Sequence, residues 1–315
     1  MQKEFVLRHG GPAPRYTSYP TAPHFHAGVD GDVYARWLRQ LKPGQTLSLY
    51  IHIPWCDRLC WFCGCNTKQT LKYEPLKTYL SALENEMETI SGLINPGCRV
   101  TALHLGGGSP TMLQPDDMLA LNTMLRSRFN FDADAEISVE MDPNDLTAEK
   151  YDALAAIGMT RASIGVQDFD EVVQKAINRE QTFEQTRDVV EQVRARGVRS
   201  VNCDVLYGLP HQTRQSVDRT IRQVLSLEPD RIALFGYAHV PWMKTHQKMI
   251  DEAALPDLTE RFAQMNRAAS TLTSAGYTPI GIDHFALPGD SLAVAAASGA
   301  MRRNFQGYTS DTADA

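Results

Sequence analysis

Four cysteines fall within ten residues, as Cys56-x-x-x-Cys60-x-x-Cys63-x-Cys65. Sulfide-bridged iron prefers soft ligands and is normally held by cysteine thiolates, so this cluster of thiols points to iron–sulfur ligation. Structural zinc is the competing reading, but it usually takes two separated ligand pairs, and no second cysteine pair occurs here. A disulfide loop is the other alternative, disfavoured in a compartment that keeps thiols reduced. If the first three cysteines hold a 4Fe–4S cluster, one iron is left without a protein ligand and open to a chelating small molecule. Cys98 and Cys203 stand alone and read as structural thiols.

Other residues could do chemistry beside that motif. Gly106-Gly107-Gly108-Ser109 is a place where backbone passes close to a polar ligand that side chains would obstruct. Glu140 could accept hydrogen bonds from an amine or a ribose, or form a structural ion pair. Asp204 sits inside an apolar run, residues 201–206, where a carboxylate is costly unless paired or ligand-bound. Arg179 offers a fork to a carboxylate, or is a solvated surface arginine. His52, His104 and His284 each read as a hydrogen-bonded imidazole or a catalytic one. Asp283-His284 is the strongest catalytic candidate among them, because it follows the last predicted strand.

These residues need a frame. Apolar runs predict strands over residues 47–53, 100–105, 136–141, 161–166, 200–206, 231–236 and 278–282. Amphipathic stretches lie between them: Thr182-Phe183-Glu184-Gln185 has capping-box form and leads a helix stopping at Gly197, and Thr147 caps one ending at Gly158. Leu258, Phe262, Met265, Ala269 and Leu272 form the apolar stripe of another. Strand followed by helix about six times implies a parallel sheet with right-handed crossovers. The cysteines, the glycine loop, Glu140, Gln167 with Asp168, Asp204 and Tyr237-Ala238-His239 all fall at or near carboxyl ends of strands, as on the active face of a barrel. The expected architecture is α/β, an incomplete parallel (β/α) barrel over residues 46–315. Residues 1–45, rich in Pro, Gly and His, read as an irregular arm with one short helix near 31–41.

The 315 residues carry a formal net charge of −6, so no general attraction to nucleic acid or an anionic membrane is expected. No apolar run reaches the length of about 18 residues that a membrane span needs, and the first residues are too short and charged for a secretory signal. The cytoplasm is the expected compartment.

The spacing of the first three cysteines resembles that of the radical S-adenosyl-methionine enzymes. The flanking sequence narrows the likeness to the oxygen-independent coproporphyrinogen III oxidases. It is carried by Pro14-Arg15-Tyr16-Thr17-Ser18-Tyr19-Pro20, Tyr50-Ile51-His52-Ile53-Pro54-Trp55-Cys56, Gly64-Cys65-Asn66 and Gly106-Gly107-Gly108-Ser109-Pro110-Thr111. Gly165-Val166-Gln167-Asp168-Phe169, Asn178-Arg179-Glu180-Gln181, Asp204-Val205-Leu206-Tyr207-Gly208-Leu209-Pro210, Gly281-Ile282-Asp283-His284 and Asn304-Phe305-Gln306-Gly307-Tyr308-Thr309 extend it along nearly the whole chain.

The resemblance implies that Cys56, Cys60 and Cys63 ligate the 4Fe–4S cluster. Cys65 matches the family's fourth motif cysteine, which the related haem-chaperone branch generally lacks. Tyr50, Gly107 and Glu140 match contacts to a first S-adenosyl-methionine. Phe62, Gly108, Ser109, Gln167, Arg179, Asp204 and Ala238 match contacts to a second, with serine at 109 where the family usually has threonine. The implied reaction is oxidative decarboxylation of two propionates of coproporphyrinogen III to the vinyls of protoporphyrinogen IX, begun by a 5′-deoxyadenosyl radical. Arg15, Arg302 and Arg303 are candidate anchors for the substrate carboxylates. Implied partners are that substrate and a low-potential electron donor such as a flavodoxin or ferredoxin, and a monomer is expected. Family members continue beyond the segment matching Gly307-Tyr308-Thr309 into a largely helical domain, which this chain is expected to lack. The alternatives are therefore a haem-binding chaperone-like paralogue, or a truncated oxidase that binds its cofactors and turns over poorly.

Overall fold

The structure, a computed structural model, describes residues 2–10, 20–21, 24–144 and 146–315. The candidate anchor Arg15, with residues 11–19 around it, lies outside the described residues. Among the described residues two helices precede the sheet, α1 (Gln2–His9) and α2 (Gly31–Arg39). The second is the short helix expected, N-capped by Asp30, whose carboxylate accepts from the Val33 amide at 2.9 Å. The first corrects the reading of the arm as otherwise irregular. It is too short to persist alone, and tertiary packing holds it: Val6 is buried and Gly10 lies against Leu258.

Strands and helices then alternate. β1 (Thr46–Ile53) leads through a small bridge, β2 (Trp55–Cys56) with β3 (Lys68–Gln69), into α3 (Glu74–Leu93). There follow β4 (Arg99–Gly107), α4 (Pro115–Arg128), β5 (Phe131–Met141), α5 (Ala148–Ala156), β6 (Arg161–Gln167), α6 (Glu171–Ala176), α7 (Phe183–Ala195), β7 (Ser200–Tyr207), α8 (Arg214–Leu225), β8 (Arg231–Gly236) and α9 (Leu258–Ser274). The caps expected at Thr147 and Thr182 are formed, the latter as a full capping box with Gln185. The main sheet runs β1-β4-β5-β6-β7-β8 and ends with β10 (His284–Ala286) and then β9 (Thr278–Ile280). Its first six strands are parallel, in the order in which the chain makes them, as an incomplete barrel requires. The last predicted strand is shorter than its apolar pattern suggests. β9 (Thr278–Ile280) turns at Gly281 into β10 (His284–Ala286), and both run antiparallel to their neighbours.

Parallel strands covered on both faces usually read as continuous apolar runs. These alternate instead, and the alternation shows where the core sits. Outward residues such as Ile51, Leu105, Val139, Ile164, Val205 and Leu234 are buried against the helices in one apolar cluster. Inward residues are mostly polar, among them Tyr50 and His52, His104, Ser138 and Glu140, Ser163, Asn202 and Asp204, with Ala102, Ala233 and Phe235 between them. The hydrophobic core is thus a shell between sheet and helices, and the concave side is a polar lumen of about 280 Å³.

Both ends of that lumen are managed. Near the amino ends of the strands Arg161 pairs with Glu136 at 2.9 Å, and Arg231 pairs with Asp290 at 2.6 Å. Across the concave side lies a hairpin, β11 (Arg302–Asn304) with β12 (Gly307–Thr309), which follows α10 (Ser291–Ser298). Phe305 meets Tyr50 edge-on at 5.0 Å and Tyr308 meets His284 edge-on at 5.8 Å. Beyond it the chain returns to β1: Thr46 donates its amide to the Asp314 carboxylate and Ser48 donates to the Ala315 carbonyl, each at 2.8 Å.

Candidate metal and cofactor site

The cysteine motif is shaped by what ends β1. Pro54 has no amide to continue the ladder, and its carbonyl accepts from Lys68 at 2.9 Å. The β2–β3 bridge therefore pinches residues 57–67 into a loop at the carboxyl edge of the sheet. Inside it Cys63 donates its amide to the Cys60 carbonyl at 3.1 Å, and Cys65 donates its amide to the Cys63 sulfur at 3.3 Å. The loop is also sewn to distant chain. Trp61 donates to the Ile177 carbonyl at 2.9 Å, Asn178 donates to the Leu59 carbonyl at 3.0 Å, and His52 bonds the Asn66 carbonyl at 2.8 Å.

The glycine loop lies directly beneath. A Cβ at Gly108 would come within 2.5 Å of the Thr67 hydroxyl and 2.6 Å of the Trp55 carbonyl, and Gly107 has φ +116°. These glycines are required first by the close approach of the cysteine loop, beyond any ligand they cradle. The Gly107 amide donates to Glu140, whose other oxygen meets His104, each at 3.1 Å. Both readings of Glu140 thus have a basis: it has internal partners, and it also faces the cavity.

Cys56, Cys60, Cys63 and Cys65 share one cavity of about 220 Å³ with Glu140, Arg179 and Asp204. Phe62, Gly107, Gly108 and Gln167 border it too. Tyr50 and Ala238 do not line it. The Tyr50 hydroxyl bonds His52 at 2.8 Å, and Ala238 is exposed, with its carbonyl taken by Gln247. Ser109 is buried, and its hydroxyl bonds Thr111 at 2.8 Å. Asp283 and His284 are joined at 2.8 Å and lie away from the cysteines; His284 faces the lumen. Cavity and lumen meet at Glu140, Ser163 and Asp204. Arg302 and Arg303 lie on β11; Arg302 donates to the Thr312 carbonyl at 3.3 Å, and Arg303 stacks over Tyr308.

Electrostatics differ from thiol to thiol. Burial pushes the Cys56 thiol up to about 12. It raises Cys60 as well, with the Arg179 guanidinium, 3.5 Å from its sulfur, working against that. Cys63 is held down, first by the hydrogen bond from the Cys65 thiol, then, against burial, by the Cys65 amide and by the nearby His246 and Lys244. Burial draws Arg179 downward, but Asp142 at 2.9 Å and Cys60 more than reverse it. Asp204 is raised to about 6 by burial and by Glu140, despite bonds from Asn202 and Ser163.

Among the described residues no three His, Cys, Asp or Glu side chains converge tightly enough for one metal ion. A four-iron cluster is wider than an ion and takes thiols spaced around it. Three thiols on the border of one cavity are soft donors suited to iron–sulfur ligation. Among the described residues the buried Arg179 Nε and Asn202 Oδ1 have no partner, leaving a donor and an acceptor beside the cavity and lumen. The residues present fit a cluster with a polar, charged small molecule next to it.

Sequence reasoning missed four contributors. Asp142 holds Arg179, Thr67 bonds the Cys56 sulfur at 3.2 Å, Asn178 adopts φ +53° to reach the loop, and a segment around His246 touches it from 183 residues away in sequence. Only Asn178 carried a local signal, since asparagine tolerates the left-handed region.

The family model described as the radical SAM superfamily matches residues 50–224. A protein of Paracoccus denitrificans named oxygen-independent coproporphyrinogen III oxidase is 48% identical over 301 residues, covering 96% of this chain and 67% of its own length. A like-named protein of Cereibacter sphaeroides is 51% identical over 95% of this chain and 66% of its own. The structure of coproporphyrinogen III oxidase from Escherichia coli, described as a radical SAM enzyme, superposes with a TM-score of 0.92 at 41% identity, over 98% of this chain and 70% of that one. This chain spans about two thirds of the length of the curated relatives it matches.

Proposed function

Because this chain belongs to the radical SAM superfamily and, within it, to the oxygen-independent coproporphyrinogen III oxidase family, we propose that it takes part in the oxidative decarboxylation of coproporphyrinogen III. In that reaction each of two propionates loses a hydrogen atom from its β-carbon, then carbon dioxide and one further electron, leaving a vinyl group. The observation that carries the reading is the single cavity bringing Cys56, Cys60 and Cys63 to Glu140, Arg179 and Asp204.

The cofactors of the family are a 4Fe–4S cluster and S-adenosyl-methionine; bound here, they supply one-electron reduction of a sulfonium and a carbon radical able to take a hydrogen atom. The protein's part is to hold and exclude. Cys56, Cys60 and Cys63 would hold the cluster. Glu140 would accept from the amine or ribose of a first S-adenosyl-methionine near Gly107 and Tyr50. Arg179 and Asp204, with Phe62, Gly108, Ser109, Gln167 and Ala238, would serve a second. Asp283 and His284, on the lumen side, would face the porphyrinogen, and Arg302 and Arg303 would meet its carboxylates. A flavodoxin- or ferredoxin-like donor, a monomeric state and the cytoplasm complete the proposal, the last because accessible free thiols suit a reducing compartment.

The test is anaerobic reconstitution with iron, sulfide and S-adenosyl-methionine, then chromatography of porphyrin products and nucleosides. Mono- and divinyl products with 5′-deoxyadenosine support the reading. A loaded cluster that yields neither sinks it, and a tight stoichiometric haem complex in place of turnover would favour the chaperone alternative.

A further inference from the structure

The cysteine loop is gripped from outside by a segment that no motif marks. Between β8 and α9 a short 3-10 turn, Thr245–Met249, and the Lys244 that caps it set three side chains against the loop's backbone. Gln247, which is buried, donates to the Phe62 carbonyl at 3.0 Å, His246 bonds the Cys63 carbonyl at 2.8 Å, and Lys244 donates to the Cys65 carbonyl at 2.9 Å. Gln247 is itself fixed at both ends of its amide. Its oxygen accepts from the Val240 amide at 2.6 Å, and its nitrogen also reaches the Ala238 carbonyl.

Three carbonyls in four residues are thus held by one short segment. Peptide planes are rigid, so anchoring the carbonyls of 63 and 65 limits rotation of the chain between them. It thereby keeps the Cys65 amide directed at the Cys63 sulfur. The same grip places a lysine ammonium beside a loop whose proposed ligand set is thiolate. A reduced cluster is one unit more negative than an oxidised one. A fixed cation and a fixed N–H···S bond both favour that reduced form, two of the means by which a protein tunes a cluster.

We propose that Lys244, His246 and Gln247 are positioning residues that clamp the cysteine loop and raise the reduction potential of the cluster it holds. The clamp acts through backbone carbonyls and charge and touches neither iron nor cofactor. The proposal rests on the iron–sulfur reading above.

The test is a potentiometric titration of the reconstituted full chain, read by electron paramagnetic resonance, for wild type, Lys244→Met, Lys244→Arg and His246→Gln. Lys244→Met is expected to disfavour reduction about tenfold, a shift of about 59 mV to more negative potential. Lys244→Arg keeps the charge and should restore most of it, and His246→Gln, which keeps a donor, should move it less than Lys244→Met. A second readout needs no cluster. In the iron-free chain, amide exchange over residues 60–66 should quicken in Gln247→Ala relative to wild type, while β5 and β7 stay protected. If wild type assembles no 4Fe–4S signal, the iron–sulfur reading fails. If it assembles one and Lys244→Met leaves the potential unchanged, or Gln247→Ala leaves exchange in the loop unchanged, the clamp is refuted and that reading stands.

Discussion

Asp204 is held where burial opposes its charge, and that has a measurable sign. Its folded value of about 6 lies above the ordinary 3.8. Between those values the folded chain keeps a proton that the unfolded chain has lost. The stability it contributes is full below pH 3.8 and is lost as pH rises through about 6. Above that the ionised carboxylate costs the ligand-free fold about 3 kcal/mol, taking 1.36 kcal/mol per unit. Asp204→Asn keeps an acceptor for Asn202 and can donate to Ser163, so it should melt a few degrees higher than wild type at pH 7.5 and equally at pH 4. Calorimetry at the two pH values checks this, and equal melting at pH 7.5 would contradict it. A carboxylate kept against its own stability is what a ligand-binding position looks like.

At the scale of elements, the site depends on how closely two loops approach. Gly108→Ala would drive a methyl into Trp55 and Thr67, so the β2–β3 bridge must open; the expected result is a folded chain that fails to retain iron, read by its absorbance after desalting. Arg179 ties the end of β6, through the Gly165 carbonyl at 2.8 Å, to Asp142 beyond β5 and to Cys60. Arg179→Met strands a carboxylate that is mostly buried and should destabilise by about 3 kcal/mol in urea unfolding. Arg179→Lys should recover little, because a single ammonium cannot span three partners. The motif and the strands were legible because their information is local. Four thiols in ten residues need no fold to be noticed, and Ile51-x-Ile53 or Ile137-x-Val139 announces a strand by period alone. The grip of Lys244, His246 and Gln247 has no such mark, since nothing near residue 246 in sequence refers to residue 63. β10 escaped for another reason: three residues after a glycine turn are too few to show a period. α1 escaped because packing on Leu258, not propensity, holds it.

Over the whole molecule, the segment from Arg302 to Ala315 joins the far edge of the sheet back to β1. Its hold on β1 runs through Asp314, which accepts from both the amide and hydroxyl of Thr46. Asp314→Ala should speed amide exchange at Thr46 and Ser48 while β5 and β7 stay protected. Uniform exchange in both proteins would show that the segment contributes nothing to closing the lumen. The polar lumen has a wider consequence. On each central strand, odd and even positions answer to different demands, one set to cohesion and the other to chemistry. Folding is written almost entirely on the outward letters, so the inward ones can be rewritten at small cost to the shell. A scaffold of this kind can change its reaction by drift at alternate residues without passing through an unfolded ancestor.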